Sequence, residues 1–206
     1  WITDGVRITI ADNGGGISQK LLTVVLFTGS DLSARVDDVT FGNRNVLAHY
    51  TSMGFEADLL FTMGAGTGFP NTTSSYGHLT FGVVHNTGSG ETQRCTMWTE
   101  SNNISVSAPA MRFSTDSAGG QLNYTTGAVT WVADFSNFDS AGFDGHARTG
   151  NSAGDKIGFL ALAFNGTANI DLSTRDSPTA TGNDDDTGPG FDPTFGMIGL
   201  TGVQSV

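Results

Sequence analysis

Ile157 to Phe164 reads IGFLALAF. The run has the length of a strand and sits among Gly, Asn, Asp and Ser clusters, and its odd and even positions are both apolar. A strand of that kind is expected to be buried centrally, on both faces. Leu21 to Phe27 (LLTVVLF) reads the same way, whereas Val6 to Ile10 (VRITI) and Ala128 to Ala133 (AVTWVA) alternate or nearly so, which predicts one wet face. Ala57 to Thr62 (ADLLFT) and His78 to His85 (HLTFGVVH) add further short apolar runs. No helical period is sustained over ten residues. The expected fold is all-β, in β-sandwich or jelly-roll-like domains.

Composition agrees with strands and turns. The chain of 206 residues has 29 Gly and only 14 % charged residues, and 17 of its 20 acids are Asp, which favours turns and caps over helix interiors. A net charge of −11 argues against nucleic acid as a partner. Diffuse acidity of this kind fits solubility in a salty or extracellular setting better than a binding site. The single Cys95 leaves no internal disulfide, and no Cys/His spacing suggests zinc, so the default reading is a buried structural thiol. No apolar run reaches the roughly 18 residues that span a bilayer, so no membrane insertion is expected. No signal peptide is visible, and the chain starts at Trp1 rather than Met.

The phrase DLSARVDDVTFGN at Asp31 to Asn43 returns as DLSTRDSPTATGN at Asp171 to Asn183, with six identities in thirteen positions. The preceding strands LLTVVLF and GFLALAF align at an offset of 137, and Gly54-Phe55 aligns with Gly190-Phe191 at 136. A period this long exceeds that of solenoids, so each unit is expected to bury its own core as one bead of a tandem array. On that reading residues 1–53 are the end of one unit, 54–189 a complete unit and 190–206 the start of another. A longer parent chain is the favoured explanation, with strand exchange between subunits as the alternative. The repeated phrase is then a connector between beads. Asp31 and Asp171 serve as turn or cap residues, and Arg35, Arg175, Phe55 and Phe191 are candidate interface contacts.

Several segments in series carry a resemblance: GFEADLLF at Gly54, HLTFGVV at His78, ETQRC at Glu91, FDSAGF at Phe138, GDKIGFLALAF at Gly154, then a second DLS at Asp171 and GFDP at Gly190. Together they resemble the tandemly repeated structural proteins of tailed phages and prophages. The pattern departs at Ala57, where proline would be expected, although Pro193 stands at the matching place in the second copy. The resemblance implies a virion component on a tail, fibre or head appendage, located on the virion or outside the cell. Its partners would be copies of itself or other virion proteins, and no cofactor or catalysis is implied.

Chemistry-bearing residues are thin. Asp134, Asp139, Asp144 and Asp155 crowd around the FDSAGFDGH turn, where a glycan hydrolase could find its carboxylates, but turn formation and strand-end capping explain them more simply. His146 lies near Asp144 without any nucleophile motif beside it. His78 and His85 are seven apart and should point to opposite faces of a strand, which argues against a shared metal. The three Asp of TGNDDDTGPG lack EF-hand spacing. The sequons at Asn71, Asn103, Asn123 and Asn165 are what an Asn-, Ser- and Thr-rich chain produces by accident. The alternative to a structural role is a carbohydrate-binding, receptor-reading module. There Trp98, Tyr76, Tyr124 and Phe69 are the candidates for stacking on a host surface glycan, set against packing of sheet edges.

Overall fold

The computed structural model describes residues 31–64, 76–101, 110–149, 155–166, 168–173 and 190–191. These residues form ten strands: β1 (Leu32–Thr40), β2 (Leu47–Tyr50), β3 (Leu59–Gly64), β4 (Tyr76–Asn86), β5 (Glu91–Ser101), β6 (Ala110–Ser114), β7 (Gly119–Leu122), β8 (Val129–Ser136), β9 (Phe143–Arg148) and β10 (Lys156–Phe164). No helix occurs among the described residues. Two antiparallel sheets result, one of six strands in the order β1-β10-β3-β4-β5-β6 and one of four in the order β2-β9-β8-β7. The all-β expectation holds, and IGFLALAF is β10, an inner strand between β1 and β3. VRITI and LLTVVLF lie outside the described residues.

The sheets enclose one main core. Val39, Phe41, Leu60, Val84, Trp131, Phe135, Phe143, Ile157 and Phe159 belong to it, every one of them buried. Aromatic rings run through its centre: Phe143 meets Phe135 at 5.5 Å, Phe159 at 5.1 Å and Tyr50 at 5.3 Å between centroids, two of the three contacts edge to face. A smaller cluster of Cys95, Met97 and Leu122 lies toward the β5 and β7 side. Burial pushes the Cys95 thiol up to about 11, so it stays neutral, with Ser117 Oγ 3.6 Å from its sulfur.

The duplicated phrase takes a different place from the one its sequence suggests. Leu32 to Thr40 is not a connector but the nine-residue strand β1, paired with β10 from Leu32↔Phe164 to Thr40↔Lys156. The first and last strands of the described residues are thus neighbours, and Asn165 N donates to the Asp31 carbonyl at 2.7 Å just beyond the paired ends. β1 and β2 precede the expected unit boundary at Met53/Gly54, yet they pair with β10 and β9 of the same sandwich. Met53 itself lies in the main core. The turn reading of Asp139 is seen directly, because its Oδ1 accepts from Ala141 N at 2.7 Å and Gly142 N at 2.8 Å.

Candidate functional site

The two outward faces of the sandwich differ sharply in character. On the four-stranded sheet, β9 alternates so that Asp144, His146 and Arg148 point away from the core, opposite Asp134 and Ser136 of β8. Pairing of β2 with β9 brings in His49, whose Nδ1 lies 2.5 Å from Asp144 Oδ1, while Asn137 Nδ2 donates to Asp144 Oδ2 at 2.8 Å. These contacts hold the Asp144 carboxyl below its ordinary range, with the Asn137 hydrogen bond the leading cause. Arg148 joins Asp134 at 2.9 Å and Asp116 at 3.3 Å, and His146 Nδ1 is 3.8 Å from Asp134 Oδ2.

Sequence proximity puts His146 beside Asp144; the sheet instead pairs Asp144 with His49 and His146 with Asp134. An Asp–His pair orients an imidazole for proton transfer, but hydrolysis also needs a nucleophile or a second free carboxylate. Among the described residues, no hydroxyl or thiol is hydrogen-bonded to His49 or His146. No three His, Cys, Asp or Glu side chains converge as metal ligands among the described residues either. The polar face is a set of mutually satisfied surface pairs.

The six-stranded sheet presents the opposite chemistry. The β1–β10–β3–β4 registers align Val36, Leu160, Phe61 and Val83 in one outward row, and the next row aligns Met63, Phe81, Thr96 and Phe113. A third row sets Leu79, Trp98 and Met111 side by side. Exposure is high for such residues: 76 % for Val36, 56 % for Met63 and 44 % for both Leu79 and Phe113. Phe61 and Phe81 stack with centroids 6.4 Å apart. The charged groups are few. Lys156 Nζ donates to Asp38 Oδ2 at 2.9 Å, and Arg94 Nη1 lies along the surface, donating to the carbonyls of Gln93 and Thr115 at 2.7 and 2.6 Å. A contiguous apolar surface over six strands is what marks an interaction face.

No family model, curated protein or solved structure matches this chain. Trp98 is on the apolar face, with Leu79 and Met111 as its cross-strand neighbours and Thr96 next to it along β5. Tyr124 is elsewhere, with its ring 6.2 Å from that of His78, so the two aromatics do not share a platform. His78 reaches Thr99 Oγ1 at 3.1 Å on the inner side of β4, and His85 belongs to the outward row with Leu59, so the expectation of opposite faces is met. Phe69 and Arg175 lie outside the described residues, as does the side chain of Tyr76. Phe55 packs partly on the main core, and Phe191 is half-buried after Gly190.

Arg35 is engaged within the domain. Its Nη2 donates to Asp37 Oδ2 at 2.9 Å, and the Tyr50 hydroxyl donates to the same oxygen at 2.7 Å, so a residue of the four-stranded sheet is tied to β1 of the other. The Tyr50 and Arg35 hydrogen bonds, with a third from Asp38 N, hold the Asp37 carboxyl down to about 2 from an ordinary 3.8. A carboxyl more acidic in the folded chain than in the unfolded one adds stability above about pH 4 and loses it as pH falls toward 2. Asp37→Asn is accordingly expected to lower the melting temperature near neutrality and to flatten its decline across that acid window. A melting series against pH checks this, and an unchanged acid profile would refute it.

The apolar face has a signal in the sequence. The runs LLF of β3, LTFGVV of β4 and GFLALAF of β10 are apolar at both parities. That property predicts burial on both sides. In the structure the second side leaves Met63 and Leu79 exposed, while Leu162 is buried.

Proposed function

We infer that this protein is an assembly module, a structural component of a virion appendage or extracellular fibre that acts through β-domain interfaces instead of turnover. The observation that supports it most is the apolar outer face of the six-stranded sheet, whose central positions carry Val36, Leu160, Phe61, Met63, Phe81 and Val83. Such a surface costs free energy in water and is relieved by a flat, apolar protein partner. The resemblance to tandemly repeated phage structural proteins points the same way, and so does the engagement of Asp134, Asp139 and Asp144 in local ion pairs and turns.

Immunogold labelling of particles and surface fibres purified from the source, with antibody raised against this chain, tests the reading. Regularly spaced label on such an assembly is the expected result. Absence of the chain from every particle and fibre fraction would overturn it. So would turnover of a polysaccharide or peptidoglycan that is lost in Asp144→Asn. Glycan binding that disappears in Trp98→Ala, with the fold retained, would replace it with the carbohydrate-binding alternative.

A further inference from the structure

We propose that the apolar face of the six-stranded sheet is covered by the same face of a second copy of this chain, sheet against sheet. The proposal rests on the assembly reading and names its partner. Three observations favour a like copy over an unrelated protein or a glycan.

The first is size. Five interstrand spacings of about 4.8 Å and strand lengths averaging about 28 Å give a face on the order of 700 Å². A standard stable protein–protein interface takes about 800 Å² from each partner. The face alone supplies most of that area.

The second is charge. The chain carries a net −11, yet among the described side chains this face bears one acid, Asp38, already paired with Lys156, and one further cation, Arg94, toward the β5 side. It is therefore a surface on which two strongly acidic copies can approach with little repulsion. The row of Val36, Leu160, Phe61 and Val83 meets a charge only at its end on β5, where the Arg94 head donates to the carbonyls of Gln93 and Thr115. A basic partner would be drawn to the acidic remainder of the molecule, and a sugar would find few groups beside Trp98 to hydrogen-bond.

The third is the path of the chain. Beyond β10, the carboxylate of Asp171 lies close enough to act electrostatically on His85, which stands in the outward row with Leu59 and Leu162. Leu162 is an outward position and yet is almost fully buried. The second Asp-Leu-Ser, which repeats the opening of β1, thus sets out from the end of this same face. A second copy brought against the face would meet this segment at its end. Two such sheets pack face to face about 10 Å apart, with strands within about 30° of each other.

Sedimentation velocity over a concentration series, with the whole chain, tests the pairing. The unsubstituted chain should associate reversibly. Val36→Glu, Met63→Glu and Phe113→Glu, all exposed and on three different strands, should each weaken association by about 100-fold, because a symmetric contact buries every substitution twice. Their unfolding midpoints should stay near that of the parent. Val129→Glu, at an exposed apolar position of the other sheet, should associate as the parent does. A parent that is monomeric at every concentration would overturn the proposal. Association indifferent to the three face substitutions, or equally weakened by Val129→Glu, would also overturn it. A monomeric chain found on particles would remove the pairing and leave the assembly function standing.

Discussion

A fragment from Asp31 to Ile170 will fold by itself, and one from Gly54 to Pro189 will not. The longer sequence repeat suggests the second fragment as the natural unit, but β1 and β2 lie before Gly54 and are built into both sheets. Deleting them removes Val39, Phe41 and Met53 from the core and takes away one neighbour of β10 along its whole length. At about 2 kcal/mol for each fully buried large apolar side chain, those three alone amount to about 6 kcal/mol. That is comparable with the whole margin of a domain, roughly 5–15 kcal/mol. Deletion also bares β10, whose ladder groups would then face water or another chain. Circular dichroism and a cooperative thermal transition for the first fragment, with neither for the second, is the expected outcome. A cooperative transition at the same temperature for both would show that β1 and β2 are dispensable.

Gly82→Ala should destabilise the protein by about 3 kcal/mol or more, as an overpacked core position does. Gly82 sits mid-strand in β4 between Thr62 and Cys95, facing the other sheet. An added Cβ would fall inside contact distance of the Ala118 carbonyl, which already accepts the Thr62 hydroxyl, and within 2.6 Å of Thr62 Oγ1. The two sheets approach each other here at a backbone, which cannot turn aside as a flexible side chain can. Gly77, in the same strand, has open space where its Cβ would stand. Gly77→Ala is the control, with an expected change within about 0.5 kcal/mol. Chemical denaturation measures both. Equal effects would mean that strand propensity, and not the close approach, governs Gly82.

Strands with a clear apolar run are legible in the sequence, and those whose role depends on position in a sheet are not. β10, β8, β4 and β3 correspond to runs readable from hydrophobic patterning alone. β1 is hidden because it is an edge strand: its inner positions Ser33, Arg35 and Asp37 are polar and only partly buried, so only Val39 is fully buried and the inner parity does not look apolar. Its repetition at Asp171 marks the phrase while concealing what it does. β2 and β7, with four residues each, are too short for a period to register. The polar constellation is illegible for another reason. His49 and Asp144 are 95 residues apart and meet only through the pairing of β2 with β9, whereas the nearer His146 is the one that proximity suggests. Among the expected interface contacts, Arg35 takes its place from Asp37 and Tyr50, and the link to Tyr50 crosses from one sheet to the other.

The antiparallel seam of β1 and β10 sets how the domain answers to force. Because the chain enters at Leu32 and leaves at Phe164, and these two residues are paired, a pull on the two ends acts across the ladder and not along it. Pairs would separate in succession from that end toward Thr40–Lys156, each loading only its own hydrogen bonds, in the manner of a zip. Strands drawn past one another in shear would have to break the whole ladder together. A string of such domains under tension would lengthen by opening seams at modest load, giving way gradually until the peeling reaches Val39 and the core.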